Sequence, residues 1–152
     1  GIVVGLWGWY GSLYKGETDT FDNAPKNRFV NTIRNVSAVT GRCMMIGAKR
    51  FRKIGCFDES IQKCGADVEL CIRLLQHNYK NVYTPYVRIS SGRAVERIED
   101  AEEQDKIRCF DVIKKMLVTG DPYYNSNFNY ASSVPELVDQ PSPAIHLNPL
   151  GE

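Results

Sequence analysis

The stretch Ala66-Asp67-Val68-Glu69-Leu70-Cys71-Ile72-Arg73-Leu74-Leu75-Gln76-His77-Asn78 decides how the rest of the chain is read. Val68, Ile72 and Leu75 recur at helical spacing, and Leu70, Cys71 and Leu74 widen the same stripe. Glu69, Arg73 and Gln76 are left for the polar side, so the spacing predicts an amphipathic helix over residues 66–77 laid on a core. Asn78 stands where a left-handed residue closes a helix.

Working outward, residues 79–83 read as a strand stopped by Thr84-Pro85, followed by a short extended piece over residues 86–89. A second helix is expected over residues 101–119, with Ile107, Phe110, Ile113 and Leu117 on its packed side and Gly120 as its stop. Residues 121–152 are rich in Asn, Ser, Pro and Tyr with little periodicity, and read as an extended tail over the surface. Upstream, residues 2–6 form a β-branched strand that runs into the Gly/Trp/Tyr loop Trp7-Gly8-Trp9-Tyr10-Gly11. Residues 14–35 are polar and irregular, the pattern of a long surface excursion.

A strand broken near Gly41 is expected over residues 36–40 and 43–46; a glycine there marks a bulge or a close approach of backbone to ligand. Residues 48–54 read as a short amphipathic helix stopped by Gly55, with Lys49, Arg50, Arg52 and Lys53 as its solvated face. Strands and helices interleave in too small a number for a complete doubly wound domain, so the fold class is α/β, a small mixed sheet flanked by helices.

Composition agrees with one domain. The chain has 152 residues, 43% of them apolar or aromatic and 24% charged, and its formal net charge is +1. That balance gives no footing for a nucleic-acid or anionic-membrane partner, and the apolar runs are far short of the roughly 20 residues that cross a bilayer. The five cysteines have no C-x-x-C spacing and the two histidines are far apart, which argues against zinc and for small buried thiols in a reducing compartment. The chain opens on Gly1 without a leader pattern and is read as a fragment of something longer.

Three blocks carry a family likeness when taken together: Val39-Thr40-Gly41-Arg42-Cys43-Met44-Met45-Ile46, then Ile54-Gly55-Cys56-Phe57-Asp58-Glu59, then Ala66-Asp67-Val68-Glu69-Leu70-Cys71-Ile72-Arg73-Leu74. They resemble the second half of a family 2 glycosyltransferase of the GT-A (Rossmann-like) fold. In that family a Thr-Gly-Ala-Cys-like strand leads to a Gly-Phe-Asp-Glu turn and a Glu-Asp-x-Asp-Leu-x-x-Arg helix. The tyrosines and proline between Tyr79 and Tyr86, and the run Gly120-Asp121-Pro122-Tyr123-Tyr124-Asn125, resemble later segments of the same family. The likeness covers residues 36–128. It implies that residues 1–152 are a single domain or fragment, the C-terminal, acceptor-side half of a GT-A domain. The implied reaction is inverting transfer from a nucleotide sugar to a glycan or other hydroxyl acceptor, with a cytoplasmic location or one at the inner face of the membrane.

Such a transfer needs a positioned carboxylate to take the acceptor proton. The resemblance assigns this base to Asp67; from the residues alone, Asp67 reads first as a helix cap. Asp58 and Glu59 offer hydrogen bonds to an acceptor sugar or an Asx-turn. Trp7, Trp9 and Tyr10 offer a stacking platform or core packing, and Arg93 and Arg97 suit a diphosphate. Ala66 stands where the family has Glu, Ser91 where it often has a metal-binding His, and the chain has no Asp-x-Asp. A divalent cation, Mn²⁺ or Mg²⁺, would therefore be ligated mainly outside this chain. The alternative from the same fold is a carbohydrate-binding or interaction module without catalysis.

Overall fold

The computed structural model describes residues 1–15, 29–87, 89 and 101–139. In chain order the described elements are β1 (Ile2–Val4), β2 (Tyr10–Ser12), β3 (Arg34–Val36), α1 (Ala48–Lys53), α2 (Ala66–Gln76), β4 (Asn81–Tyr83) and α3 (Glu103–Thr119), with 3₁₀ turns at Leu6–Gly8 and Gly41–Cys43. The class is α/β, as expected, and the strands pair as two small antiparallel ladders. β1 pairs with β2, setting Val4 opposite Tyr10, and β3 pairs with β4, setting Val36 opposite Asn81. Among the described residues a bridge between Ile2 and Ala38 joins the ladders, with the Ile2 N–H donating to the Ala38 carbonyl at 2.8 Å.

β1 is buried on both faces, and its alternation decides what each face touches. Ile2 and Val4 point into the main core with Val68, Cys71 and Ile72 of α2 and Cys109, Ile113 and Leu117 of α3. Val3 points the other way, onto Leu6, Tyr124 and Tyr130. Leu70 and Leu74, on the flank of α2, form a third cluster with Ile54, against which Phe51 and Tyr79 pack. α2 is thus wrapped on most of its circumference, and each fully buried aliphatic side chain contributes about 1.5–3 kcal/mol of hydrophobic stabilisation.

Helix placement follows the sequence closely. α1 and α2 lie where the apolar spacing puts them, Asn78 takes φ 61°, and Gly120 ends α3 with φ 81°. The face of α3 is rotated from expectation: Asp105, Cys109, Ile113 and Leu117 are buried, while Ile107 is exposed. Glu69, assigned to the polar side of α2, is buried as well.

The strands depart further. The strand expected over residues 2–6 stops at Val4, because Gly5 turns left-handed and Leu6–Gly8 coil. The strand expected over residues 36–40 and 43–46 is displaced: β3 ends at Val36, only Ala38 bridges beyond it, and Gly41–Cys43 form a turn in which the Thr40 hydroxyl accepts from the Arg42 N–H. The tail is docked as far as residue 139. Tyr124 and Tyr130 are buried, the Tyr130 carbonyl accepts from the Trp7 N–H at 2.9 Å, and Phe128 bridges Leu137.

Candidate functional site

The site is built where α2 begins. Gly65 precedes the helix with φ 98° and caps it with no side chain, so Asp67 is not the cap; it lies inside the first turn. A carboxylate there is favoured by the exposed N–H groups and the helix dipole. Its side chain reaches across to another segment: Oδ2 accepts the Gly41 N–H at 2.7 Å, and Oδ1 lies 2.9 Å from the Val68 N–H.

Gly41 is fitted to this contact, since a Cβ added there would lie 3.2 Å from the Asp67 Cβ. The glycine that breaks the strand pattern and the acid that opens the helix, 26 residues apart, therefore form one unit. Asp67 is half-buried, so it keeps solvent access while its orientation is fixed. Its negative charge is felt inside the core: behind the dominant effect of burial, it helps push Cys71 up to about 11 and Cys109 up to about 12.

Arg73, one of the family-like positions, locks α2 onto the turn that leads to Asp58. Its guanidinium pairs with both Glu69 carboxylate oxygens, at 2.8 and 2.7 Å, and donates to the carbonyls of Cys56, at 2.7 Å, and Ile54. This planar fork fixes two segments at once.

Asp58 is engaged within its own turn. Its Oδ1 accepts from the Ser60 N–H at 2.9 Å and the Ser60 hydroxyl at 2.6 Å, while Arg108 of α3 lies 3.5 Å from Oδ2. The Ser60 hydrogen bonds, helped by Arg108, hold the Asp58 carboxyl below the usual carboxylate range. Glu59 is exposed, and its carbonyl accepts from the Gln62 side chain.

The aromatic trio does not share a face. Trp9 is buried against Phe110 with Tyr10 beside it in the main core, whereas Trp7 packs in the tail cluster and donates its indole N–H to the Ala131 carbonyl at 3.0 Å. Arg93, Arg97 and Ser91 lie outside the described residues.

Two acids that sequence reasoning did not single out as site residues hold the frame. Asp105, in the first turn of α3, accepts the N–H groups of Gln62, Lys63 and Cys64 at 3.0, 2.8 and 3.2 Å, and so pins the loop that runs into Gly65. Burial raises its carboxyl and the three backbone donors more than offset that, leaving it lowered. Asp121 accepts from the Val4 N–H at 2.8 Å, the Ser37 hydroxyl at 2.7 Å and the Tyr123 N–H at 2.8 Å; here burial wins and the carboxyl is raised. Asn81 joins the same interior, donating to the carbonyls of Ser37 and Cys71 at 2.9 Å each.

Among the described residues no group of three or more His, Cys, Asp or Glu side chains is set to hold a metal ion, and no helix is long and apolar enough to cross a membrane.

The chain is 31% identical over 135 residues to the O-antigen biosynthesis protein RfbC of Myxococcus xanthus, a match covering 88% of this chain and 10% of that protein. It is 30% identical over 137 residues to the uncharacterized protein y4gI of Sinorhizobium fredii, covering 84% of this chain and 14% of that protein. The chain thus spans between a tenth and a seventh of the length of these relatives. No family model and no solved structure matches it.

Proposed function

We propose that this chain is the acceptor-side half of an inverting family 2 glycosyltransferase with Asp67 as its general base, acting in polysaccharide biosynthesis. The observation that carries the reading is the carboxylate of Asp67 held by the Gly41 N–H at 2.7 Å, because it joins two of the family-like blocks around the one residue the chemistry needs. The O-antigen name of a relative at 31% identity supports the biosynthetic setting.

A carboxylate has about four lone-pair directions, and the two backbone donors leave others for an acceptor hydroxyl. As the acceptor oxygen attacks the anomeric carbon, its proton passes to Asp67 and the nucleoside diphosphate leaves with the electron pair of the broken bond. On this reading a divalent cation on the diphosphate would be held mainly by residues outside this chain, and it carries no step here.

Asp67→Asn in the full-length protein tests the role. Asparagine keeps an oxygen for the Gly41 N–H, so the fold survives, while the base is lost; turnover should fall about 10²–10⁴-fold with acceptor binding retained. Near-normal turnover would remove Asp67 from the mechanism. The alternative, a sugar-binding or interaction module, is favoured by Ala66 in place of the family Glu, and saturable acceptor binding by a parent protein that never turns over would establish it.

A further inference from the structure

Asn81 is a polar residue in an apolar interior, and its side chain holds two segments at once. It opens β4, stands opposite Val36 in the ladder, and is buried. Burying an amide costs free energy unless its hydrogen bonds are remade inside the protein. Its Nδ2 donates to the Ser37 carbonyl and to the Cys71 carbonyl, each at 2.9 Å. An amide nitrogen has two N–H donors, so both are used, and the fork sets the spacing between the two carbonyls.

Those carbonyls belong to the two segments that meet at the candidate site. Ser37 stands four residues before Gly41, and Cys71 stands about one helical turn after Asp67 on α2. The next link between these segments is weaker: the Val39 N–H lies 3.5 Å from the Cys71 sulfur, a poor acceptor. Ser37 is anchored from behind as well, because its hydroxyl donates at 2.7 Å to Asp121, which also accepts the Val4 N–H. A buried polar thread therefore runs from the docked tail through Ser37 and Asn81 to α2. At its far end the Gly41 N–H reaches Asp67 at 2.7 Å.

We propose that Asn81 is a positioning residue for Asp67: its amide sets the spacing between residues 37–41 and α2, and so keeps the Gly41 N–H aimed at the Asp67 carboxylate. The division of labour follows from the partners. The Cys71 carbonyl lies inside α2, and α2 keeps its apolar packing through Val68, Cys71 and Ile72 without the amide. The Ser37 carbonyl belongs to a segment outside the helices and, with the amide gone, loses its tie to α2. Removing the fork thus frees residues 37–41 against a helix that stays in place. The spacing effect stands on the structure alone; its bearing on turnover rests on the reading of Asp67 as base.

Asn81→Ala tests this through amide hydrogen exchange in this chain and turnover in the full-length protein. Gly41 should exchange about tenfold faster than in the parent, while Gln62, Lys63 and Cys64, whose N–H groups Asp105 holds, stay within about twofold. Turnover should fall about tenfold with the acceptor Michaelis constant moved less than about twofold, the split expected when a base is misaimed and the acceptor still binds. An unchanged Gly41 amide would overturn the positioning role. Equal acceleration at Gln62, Lys63 and Cys64 would overturn it too, since that marks general loosening. Faster Gly41 exchange with unchanged turnover would overturn the bearing on catalysis. Should the alanine variant not fold, Asn81→Ser keeps one donor and should give the same selective pattern at smaller size, and the same outcomes overturn the role. The exchange readout does not use turnover, so an active Asp67→Asn enzyme would sink the base and leave the spacing role standing. An unmoved Gly41 amide would do the reverse.

Discussion

Asp67 and Asp105 are the same residue at the same kind of place, the first turn of a long helix packed on the main core, and the structure uses them in opposite ways. Asp105 is 1% exposed and receives three consecutive backbone N–H groups from a neighbouring loop. Asp67 is half-buried, takes one N–H from a distant turn and one from the residue beside it, and keeps open lone pairs facing accessible space. A carboxylate whose acceptor capacity is consumed by the backbone is a structural part. One whose orientation is fixed while capacity remains is available for chemistry, and Asp105 fixes the very loop that delivers Asp67.

The sharpest way to break this contrast is to remove the structural member. Asp105→Ala removes the acceptor of three part-buried N–H groups, and the expected loss is about 3 kcal/mol, read as a lowered denaturation midpoint with an unchanged slope. The folded Asp105 carboxyl lies below its unfolded value, so its contribution is complete above the unfolded value and disappears as pH falls through the folded one. A variant as stable as the parent at neutral pH would show that the loop is held by something else.

The contrast also marks what was legible in the sequence. α2 was readable because Val68, Cys71, Ile72 and Leu75 repeat at the helical period and Asn78 ends them, and both cues are local. Gly41 and Asp67 each drew attention singly, one as a breaker in a strand pattern and one as an acid at a helix start. Their pairing was not readable, since no local rule links residues 26 apart. Asp105 carried no signal: its partners are main-chain N–H groups, which any residue supplies, and it displaced Ile107 from the buried face because three hydrogen bonds outweighed the apolar pattern there. The anchors of the tail were also not readable: its Asn, Ser and Pro content reads as chain laid over the surface, and nothing local marks Tyr124, Tyr130 and the buried Asp121 as the residues that fasten it.

Asp121 sharpens the comparison from the other side, because it too receives three donors, yet burial dominates and its carboxyl is raised. The folded state then binds a proton more tightly than the unfolded state. Stability attributable to Asp121 is therefore greatest below the ordinary carboxylate value and falls as pH rises through the raised one, opposite in slope to Asp105. Asp121→Asn should cost about 1–2 kcal/mol at neutral pH, since its amide turns donors toward donors. It should also flatten that falling limb in a denaturation series across the acid range. A series that keeps the falling limb in the variant would assign it to another group.

The smallest expected effect belongs to Asp58, which stands between the two kinds. Its carboxylate is partly open like that of Asp67, but Ser60 and Arg108 occupy it. Asp58→Asn keeps an oxygen for the Ser60 N–H and loses only the exposed charge pairing, so the stability change should stay under about 0.5 kcal/mol. The informative readout is acceptor affinity in the full-length protein. If the turn merely shapes the loop ahead of α2, the Michaelis constant for the acceptor moves less than about twofold and turnover is unchanged. A selective rise of about tenfold in that constant, with turnover preserved, would place Asp58 on the acceptor and extend the available class of carboxylates beyond Asp67.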